Sequence, residues 1–463
     1  MLRYLILSFF MPYMILAQDK TPEDHFKTLL QIEELEGINI SASFITPSGD
    51  DIFHFHEKER KIPASSFKPV TTGFLWLEKG AEHRWRSTVS IVGKINQEGV
   101  LKGNVVITPS GDPAFASRYV NAASLGDMLH EIHTSLRNSG ITCIDGHLVL
   151  DVSGFQDNPV PGTWPREDVG NYYGAGYYAM NVLDNSYEIC FEGQRRVGDV
   201  PRIKRVEPAL NELNWEIKLQ TAEKGTGDQA YIFGGPETDH KVIYGTIPAG
   251  ENDFCIKGSM PDPPGFFLDT LSAYCEKRGM QHNGVRLSNS VLDNRGELIW
   301  EHLSPTLEEM AQPCLHKSLN SYADGFLFEL SGDEGRTWSD AISVLADKID
   351  AVIPAGPATV LYDGSGMSPS NGISSAKLAG SLAYFYNNIE VPGSFMNCFT
   401  RDNRNSDIRL KSGSLAGVVS YSGYILKEKA QPVCFSIMAN QVHSEQKDLV
   451  RQQMLQFIRT FSR

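Results

Sequence analysis

The sequence lacks a basic surplus and any metal-ligand pattern that we recognise. Its formal net charge at pH 7 is -14, so no excess of lysine and arginine exists to neutralise a phosphate backbone, and nucleic acid is not an expected partner. Its 12 histidines form no His-Glu-x-x-His or comparable cluster, and its cysteines form no Cys-x-x-Cys pair. We therefore expect no metal ion and no other cofactor.

Long apolar runs are missing after the first 17 residues. The run Tyr4–Ala17 is too short to span a bilayer comfortably, but it fits the core of a signal peptide. Cleavage after Ala17 fits the small residue there, and an uncleaved N-terminal anchor is the alternative. We expect residues 1–17 to be a signal peptide and the mature protein to be exported, periplasmic and soluble.

The seven cysteines are dispersed along the chain. In an exported protein they could form a few disulfides, but an odd number leaves at least one thiol free, and the sequence does not determine the pairing. The alternative is that most are buried thiols that pack as small hydrophobic side chains.

The length of 463 residues exceeds what one hydrophobic core usually supports, so we expect at least two packing units. Short β-rich runs separated by glycine and proline turns, such as the turn at 261–264, fill the middle of the chain, whereas helical patterns dominate its ends. We predict a domain formed by residues 18–88 and 299–463, interrupted by a mostly β insertion over 89–298 in one or two parts.

The two ends of the chain predict an α+β fold, with an antiparallel sheet flanked by helices. An amphipathic helix over 21–36 precedes a hairpin of strands at 38–46 and 52–56. The other predicted elements are helices at 122–139, 304–317 (kinked or broken by Pro313), 322–330, 339–349 and 374–386, a strand over 411–426, a strand over 432–440, and a C-terminal helix with Val450, Met454, Phe457, Ile458 and Phe461 on one face.

Ser65-Ser66-Phe67-Lys68 is the first candidate for chemistry. If the segment is helical from Ser65, the Lys68 amine lies on the same face and can reach the Ser65 hydroxyl, which is the geometry of a serine nucleophile with a lysine base. Lys68 could act as that base only with a pKa well below about 10.4. The pattern is weak alone, because it recurs at 374–377 and 444–447.

Two further motifs follow in order: Ser318-Leu319-Asn320 and Lys411-Ser412-Gly413. Each pattern, Ser-x-Asn and Lys-Ser-Gly, occurs once in the sequence. Together with Ser65-x-x-Lys68 they match the Ser-x-x-Lys, Ser-Asp-Asn and Lys-Thr-Gly set of serine β-lactamases and penicillin-binding proteins. All three motifs in this order are much less expected by chance than any one of them alone.

The chain resembles the class C low-molecular-mass penicillin-binding proteins, the D-alanyl-D-alanine carboxypeptidase/endopeptidase family. That family carries an insertion of about this length between its first and second motifs. The matching segments are Leu101-Lys102-Gly103-Asn104, Ser110-Gly111-Asp112-Pro113, Ile144-Asp145-Gly146, Asp363-Gly364-Ser365-Gly366-Met367-Ser368 and Lys411-Ser412-Gly413-Ser414-Leu415-Ala416-Gly417. The resemblance implies a β-lactamase-like serine DD-peptidase domain that cleaves peptidoglycan stem peptides ending in D-Ala-D-Ala and is covalently inhibited by β-lactams.

The resemblance also implies roles for the catalytic residues. Ser65 would form the acyl-enzyme, with Lys68 as its base. Burial and the charge of Lys411 would lower the pKa of Lys68. Ser318 would relay a proton to the leaving amine, and Asn320 would hold the Lys68 amine or the substrate amide.

The third motif is implied to bind the substrate. Lys411 and the hydroxyls of Ser412 and Ser414, on either side of Gly413, would receive the terminal carboxylate of the peptide. The backbone N–H groups of Ser65 and Ser414 would form the oxyanion hole.

Trp164-Pro165-Arg166-Glu167-Asp168 matches the family segment whose aspartate approaches the amino group of diaminopimelate. The resemblance assigns that role to Asp168; Glu167 is the adjacent alternative, and a solvated surface acid is the other interpretation. Tyr172 and Tyr173 could line the same cleft, although we expect them to be buried core aromatics.

The sequence departs from the family at Leu319, which replaces a polar residue, at Ser412, which replaces threonine, and over 391–405, where a Gly-Asp-Gly-Thr-Leu-like segment is missing. These departures motivate one alternative, a cell-wall-binding protein that has lost turnover. A β-lactamase is disfavoured by the long insertion and by the absence of an obvious deacylation residue. The oligomeric state stays open.

Overall fold

The computed structural model describes residues 21–462, with gaps at 194–195, 211–212, 237, 251–252, 291, 293–295, 333–336 and 355. The expected signal peptide at 1–17 lies outside the described residues. Within them, no helix is both long enough and apolar enough to cross a bilayer.

Helices are concentrated in the two ends of the chain. Among the described residues they are α1 (Pro22–Leu30), α2 (Lys68–Lys79), α3 (Leu125–Asn138), α4 (Pro263–Lys277), α5 (Leu307–Lys317), α6 (Asn320–Ser331), α7 (Trp338–Val352), α8 (Ser375–Asn388), α9 (Pro392–Asn397) and α10 (Lys447–Thr460).

Strands occur throughout the chain. They are β1 (Asn39–Ile45), β2 (Asp51–Phe55), β3 (Arg60–Lys61), β4 (Arg86–Ile95), β5 (Val100–Thr108), β6 (Cys143–Asp145), β7 (Leu148–Asp151), β8 (Ser186–Phe191), β9 (Ile203–Glu207), β10 (Asn214–Ala222), β11 (Gln229–Phe233), β12 (His240–Pro248), β13 (Phe254–Ser259), β14 (Val285–Ser288), β15 (Glu297–Leu303), β16 (Ile373–Ser374), β17 (Thr400–Arg401), β18 (Ile408–Leu415), β19 (Val418–Lys427) and β20 (Ala430–Asn440).

The central sheet joins the two ends of the chain. Its order is β17-β18-β19-β20-β1-β2, and neighbouring strands are antiparallel. The predicted face of α10 is buried against this sheet with α1, where the rings of Phe26 and Phe457 lie 5.0 Å apart. On the other face α2 and α5 to α8 enclose a second apolar core. The predicted α+β class is therefore confirmed.

The middle of the chain forms separate, smaller sheets. Strands β14-β7-β5-β4-β15, with β6 beside β5, form one sheet, and α3 and α4 bury their apolar sides against it. The strands β13-β8-β9 and β10-β12-β11 form two further sheets around a shared core. The division at 89 and 298 stays a prediction; β4 and β15, which pair with each other, begin and end slightly outside it.

The predicted single strand over 411–426 is wrong. The chain reverses after Leu415, and β18 and β19 form a tight hairpin in which Leu415 pairs with Val418. Gly417 has φ +71°, a left-handed conformation that glycine adopts without steric cost. Residues 415–419 form a continuous run without polar side chains, so the hydrophobic pattern gives no sign of this turn.

Of the kink or break expected at Pro313, the break does not occur, because α5 continues through this residue. Five buried side chains hold the helix against the core, and such packing can offset the hydrogen bond that a proline removes. The helix begins two residues later than expected: Thr306, not Ser304, forms a capping box with Glu309. The hydroxyl of Ser304 instead accepts a hydrogen bond from the Trp85 backbone N–H.

Helix α4 begins inside the segment 261–264, where the prolines predict a turn. Pro263 occupies the first position of the helix, where the missing N–H costs nothing, and Asp262 caps it by accepting a hydrogen bond from the Gly265 N–H at 3.0 Å.

Candidate active site

Ser65 lies in a short 3-10 turn, Ala64–Phe67, that leads directly into α2. The Lys68 Nζ donates a hydrogen bond to the Ser65 Oγ at 2.9 Å. The structure therefore places the lysine amine beside the serine hydroxyl, as the spacing predicts. Ala64, just before the serine, has φ +48°, a conformation that is strained for a residue other than glycine.

Lys68 is completely buried and donates two more hydrogen bonds, to the Asn320 Oδ1 at 2.5 Å and to the Ser365 carbonyl at 2.7 Å. Burial lowers the pKa of Lys68 to about 8, although nearby Cys314 and acidic groups oppose this shift. Burial rather than the charge of Lys411 accounts for the lower pKa. An amine with this pKa is partly neutral at neutral pH and can accept a proton.

Asn320 begins α6 and connects two parts of the site. Its Oδ1 accepts from Lys68, and its Nδ2 donates to the Tyr173 carbonyl at 2.6 Å. Leu319, the departure from the family, is a buried part of the apolar core.

Ser318 ends α5 in a left-handed conformation, with φ 59° and ψ 44°. It is partly exposed. In the described part of the chain, no hydrogen bond joins its hydroxyl to Ser65 or Lys68. The structure thus places Asn320 within hydrogen-bond distance of Lys68. Among the described residues, the Ser318 hydroxyl makes no such contact with Ser65 or Lys68.

Lys411 lies on β18 and is almost fully buried. Its Nζ donates to the Ser412 carbonyl at 2.7 Å. Burial, followed by the charge of Lys68, lowers the pKa of Lys411 to about 7. The two amines are thus close enough to affect each other, but no hydrogen bond between described residues joins Lys411 to Ser65.

Gly413 permits the sheet to approach the nucleophile. A Cβ at this position would lie 2.7 Å from both the Pro63 carbonyl oxygen and the Ser66 nitrogen. On the neighbouring strand, Ser420 donates to the Pro63 carbonyl and Ser422 donates to the Ser66 carbonyl. These hydroxyls fix the turn that carries Ser65 against the sheet, a function that the sequence did not predict.

Asp363 organises the loop that supplies the Ser365 carbonyl. Its buried carboxylate accepts hydrogen bonds from the backbone of Gly366 and Ser368 and from the side chains of Asn371 and Trp164. Four donors hold a buried carboxylate in one orientation. The sequence motif located this loop through the family resemblance, but not the contacts of its aspartate.

Gly366 brings that loop against the nucleophile. It has φ +81°, and a Cβ there would lie 2.0 Å from the Ala64 carbonyl oxygen. Asp324, one turn beyond Asn320, accepts from the Gly364 N–H at 2.9 Å. Burial and the charge of Asp363 raise the pKa of Asp324 well above its usual value.

Asp168 is partly exposed and accepts a hydrogen bond from the Tyr173 hydroxyl at 3.1 Å. Because Asn320 donates to the carbonyl of the same tyrosine, the Asp168 loop is attached to the cluster around Lys68. Burial raises the pKa of Asp168. The expectation that both tyrosines are buried is wrong: Tyr172 is 43% exposed and Tyr173 is partly exposed.

The other sequence features are structural. Ser374 caps α8, and Lys377 pairs with Asp350, so this copy of Ser-x-x-Lys lacks the nucleophile geometry. In the divergent 391–405 segment, α9 buries Phe395 in the helical core.

One disulfide, Cys190–Cys255, links β8 to β13. The other cysteines are free, and all of them except Cys143 are buried. Among the described residues one group, Glu188 with this cysteine pair, has three possible metal ligands close together. Because both of its thiols are bonded to each other, the group offers no thiolate to a metal.

Comparison with known proteins identifies the family. The model of the D-Ala-D-Ala carboxypeptidase 3 (S13) family matches residues 25–461. The chain belongs to this family. The resemblance drawn from the sequence motifs is thereby confirmed.

Relatives in the carboxypeptidase family span most of the chain. The D-alanyl-D-alanine carboxypeptidase of an Actinomadura species is 23% identical over 458 residues, which cover 89% of this chain and 79% of the relative. The penicillin-sensitive carboxypeptidase A of Dictyostelium discoideum is 22% identical over 469 residues, covering 89% and 84%. The structure of penicillin binding protein 4 from Haemophilus influenzae superposes with a TM-score of 0.73 at 19% identity, over 88% of this chain and 91% of that one. At this identity the likeness shows a shared fold.

Proposed function

We propose that this protein is a serine D-alanyl-D-alanine carboxypeptidase that cleaves peptidoglycan stem peptides through an acyl-enzyme at Ser65, and that it also acts as a DD-endopeptidase. The observation that carries the proposal is the buried Lys68 amine, 2.9 Å from the Ser65 hydroxyl. An unactivated serine is a weak nucleophile, and an adjacent base with a lowered pKa activates it.

In acylation, the neutral Lys68 amine takes the Ser65 proton while the serine oxygen attacks the carbonyl carbon of the penultimate D-alanine. The backbone N–H groups of Ser65 and Ser414 stabilise the oxyanion, an effect typically worth about 3 kcal/mol per donor. The peptide C–N bond then breaks. Ser318 passes a proton to the departing amine of the terminal D-alanine, and that proton is the one held by Lys68.

In deacylation, water attacks the ester carbonyl carbon and gives a proton to Lys68. The ester bond to Ser65 breaks, and the serine oxygen regains a proton from the lysine. Asn320 and the Ser365 carbonyl keep the lysine amine in place through both steps, since both accept hydrogen bonds from it.

Two regions would select the substrate. Lys411, Ser412 and Ser414 lie on β18 where the terminal carboxylate of the peptide would bind. Asp168, linked to the site through Tyr173, would accept a hydrogen bond from the side-chain amine of the stem peptide. A β-lactam would acylate Ser65 through the same steps and be released slowly.

The test is intact-protein mass spectrometry after incubation with benzylpenicillin. We expect a single covalent adduct on the wild type and none on Ser65→Ala. Ser444→Ala is the matched control, because Ser444 also begins a Ser-x-x-Lys sequence but lies exposed at the start of α10; it should form the adduct normally. Failure of the wild type to react at high penicillin would overturn the proposal.

A second measurement separates the alternatives. Release of D-alanine from a diaminopimelate pentapeptide, and cleavage of a crosslinked dimer, would establish the two peptidase activities. An adduct without any D-alanine release would instead indicate a cell-wall-binding protein that has lost turnover. Rapid hydrolysis of nitrocefin would indicate a β-lactamase.

We also propose that the protein acts in the periplasm after export. The apolar run at 4–17 supports this, and the family acts on the cell wall. Mass spectrometry of the protein recovered from a periplasmic fraction should show an N-terminus at Gln18. An intact Met1 on membrane-bound protein would indicate an anchor.

A further inference from the structure

The two faces of β18 carry different chemistry. Side chains alternate between the faces of a strand, so Lys411 and Gly413 point toward the nucleophile turn, whereas Ser412 and Ser414 are exposed on the opposite face. Tyr421, which pairs with Ser412, shares that second face with the helix α10. Any group from α10 that reaches Ser414 therefore enters the proposed carboxylate site from the side opposite Lys411.

Arg451 of α10 makes this approach. Its Nη2 donates to the Ser414 Oγ at 3.1 Å, and its Nη1 donates to Asp448 at 2.9 Å. Asp448 is almost fully exposed, so it is a weak partner that a ligand can replace. Because the Ser414 oxygen accepts from the guanidinium, its own hydroxyl proton is free to be donated to a ligand.

Lys411 is a poor source of the charge that a carboxylate requires. Its amine is already bonded to the Ser412 carbonyl, and with a pKa of about 7 roughly half of it is neutral at neutral pH. A guanidinium stays charged at every working pH and binds a carboxylate through two parallel N–H donors. Lys447, one turn before Arg451 on α10, adds positive charge to the same region.

We propose that Arg451, acting with the Ser414 hydroxyl, binds the carboxylate of the residue that carries the leaving amine and so selects substrates in which this carboxylate is free. This inference rests on the proposed function, of which it specifies the substrate-selecting residue. It adds a fixed positive charge from the C-terminal helix to the carboxylate site, in which the partly neutral Lys411 also lies.

The experiment compares two peptides that differ only at the C-terminus: one ends in D-Ala-D-Ala with a free carboxylate, the other in the corresponding amide. The wild type should prefer the free acid. Arg451→Gln should lower kcat/KM for the acid by about tenfold or more, mainly through KM, and leave the amide unchanged. Arg451→Lys should retain part of the preference for the acid, since it keeps the positive charge but loses the two parallel N–H donors. An equal loss on both peptides, or no loss on the acid, would overturn the inference.

Two controls complete the design. Asp448→Asn frees the guanidinium and should leave the preference for the acid intact or increase it. Arg137→Gln removes one exposed positive charge from α3, in the middle part of the chain. It should change kcat/KM for neither peptide. If the wild type cleaves the D-Ala-D-Ala bond of neither peptide, the proposed function itself fails; if it cleaves the acid and Arg451→Gln behaves like the wild type, this inference alone fails.

Discussion

The indole N–H of Trp164 donates a 2.8 Å hydrogen bond to the buried carboxylate of Asp363. The two residues are 199 positions apart, and the bond connects the loop that precedes Asp168 to the loop whose Ser365 carbonyl receives the Lys68 amine. The loop that leads to Asp168 and the loop that holds the Lys68 amine are therefore fixed to each other at this point.

Removing that bond should slow acylation. Trp164→Phe leaves Asp363 with three donors and should destabilise the fold by about 1.5–3 kcal/mol, the range for hydrogen bonds to charged groups. The rate of benzylpenicillin acylation should fall as well, because the Ser365 loop loses one restraint. Trp300→Phe, which removes a bond to Glu131 in the insertion, is the control; its acylation rate should match the wild type. Equal rates for all three proteins would contradict the coupling.

Acylation should become faster as the pH rises. Only the neutral form of Lys68 accepts the Ser65 proton, and with a pKa of about 8 its neutral fraction grows about tenfold per pH unit below that value and then levels off. The second-order rate constant for benzylpenicillin, measured from pH 5.5 to 9.5, should follow this curve. Lys68→Arg should lose about a hundredfold or more, since its guanidinium cannot serve as the base. A rate that falls between pH 6 and 8 would show that Lys68 is not the base.

Gly366→Ala should disable the site through a steric clash. The new Cβ would lie 2.0 Å from the Ala64 carbonyl oxygen, so the turn that carries Ser65 must move. Gly80→Ala is the matched control, because Gly80 has the same φ of +81° but no neighbour within 4 Å. Both variants should lose about 1–3 kcal/mol to backbone strain. We expect only Gly366→Ala to lose acylation by about a hundredfold or more; similar rates for the two variants would exclude the clash as the cause.

Asp168→Asn should alter substrate choice more than turnover. For a pentapeptide with a free side-chain amine KM should rise by about tenfold, because the charge that faces the amine is lost; kcat should change little. The same peptide with its amine acetylated should be cleaved equally well by both proteins. Glu167→Gln tests the adjacent acid and should behave like the wild type. If the Glu167 variant shows the amine-specific loss instead, the role belongs to that residue.

Local spacing together with the two other motifs predicts the core of the candidate site. Ser65 and Lys68 are three residues apart at a helix start, so the amine can reach the hydroxyl, but the same spacing at Ser374 and Lys377 gives no such contact because Lys377 pairs with Asp350. The short motif at 318–320 identified the asparagine that holds Lys68. Both predictions depend on local geometry or on a rare pattern, which a single sequence displays directly.

The remaining contacts depend on how distant segments pack. Neither the four donors around Asp363 nor the hydroxyls of Ser420 and Ser422 under the nucleophile turn follow from any periodicity. The hairpin at Gly417 and the continuation of α5 through Pro313 were missed for the same reason, because tertiary packing and one residue's backbone freedom outweigh the local pattern. The approach of Arg451 to Ser414 likewise becomes visible only once α10 lies on the sheet.

The central sheet sets the order in which the protein can become active. Strand β1 pairs with β20, and the Ser420 hydroxyl that supports the nucleophile turn comes from a residue 357 positions after Pro63. Contacts between residues so far apart in the sequence form only after nearly the whole chain is available. A chain that is still being synthesised therefore carries Ser65 and Lys68 but no assembled site, and the site is complete only once the C-terminal strands have been made and have paired.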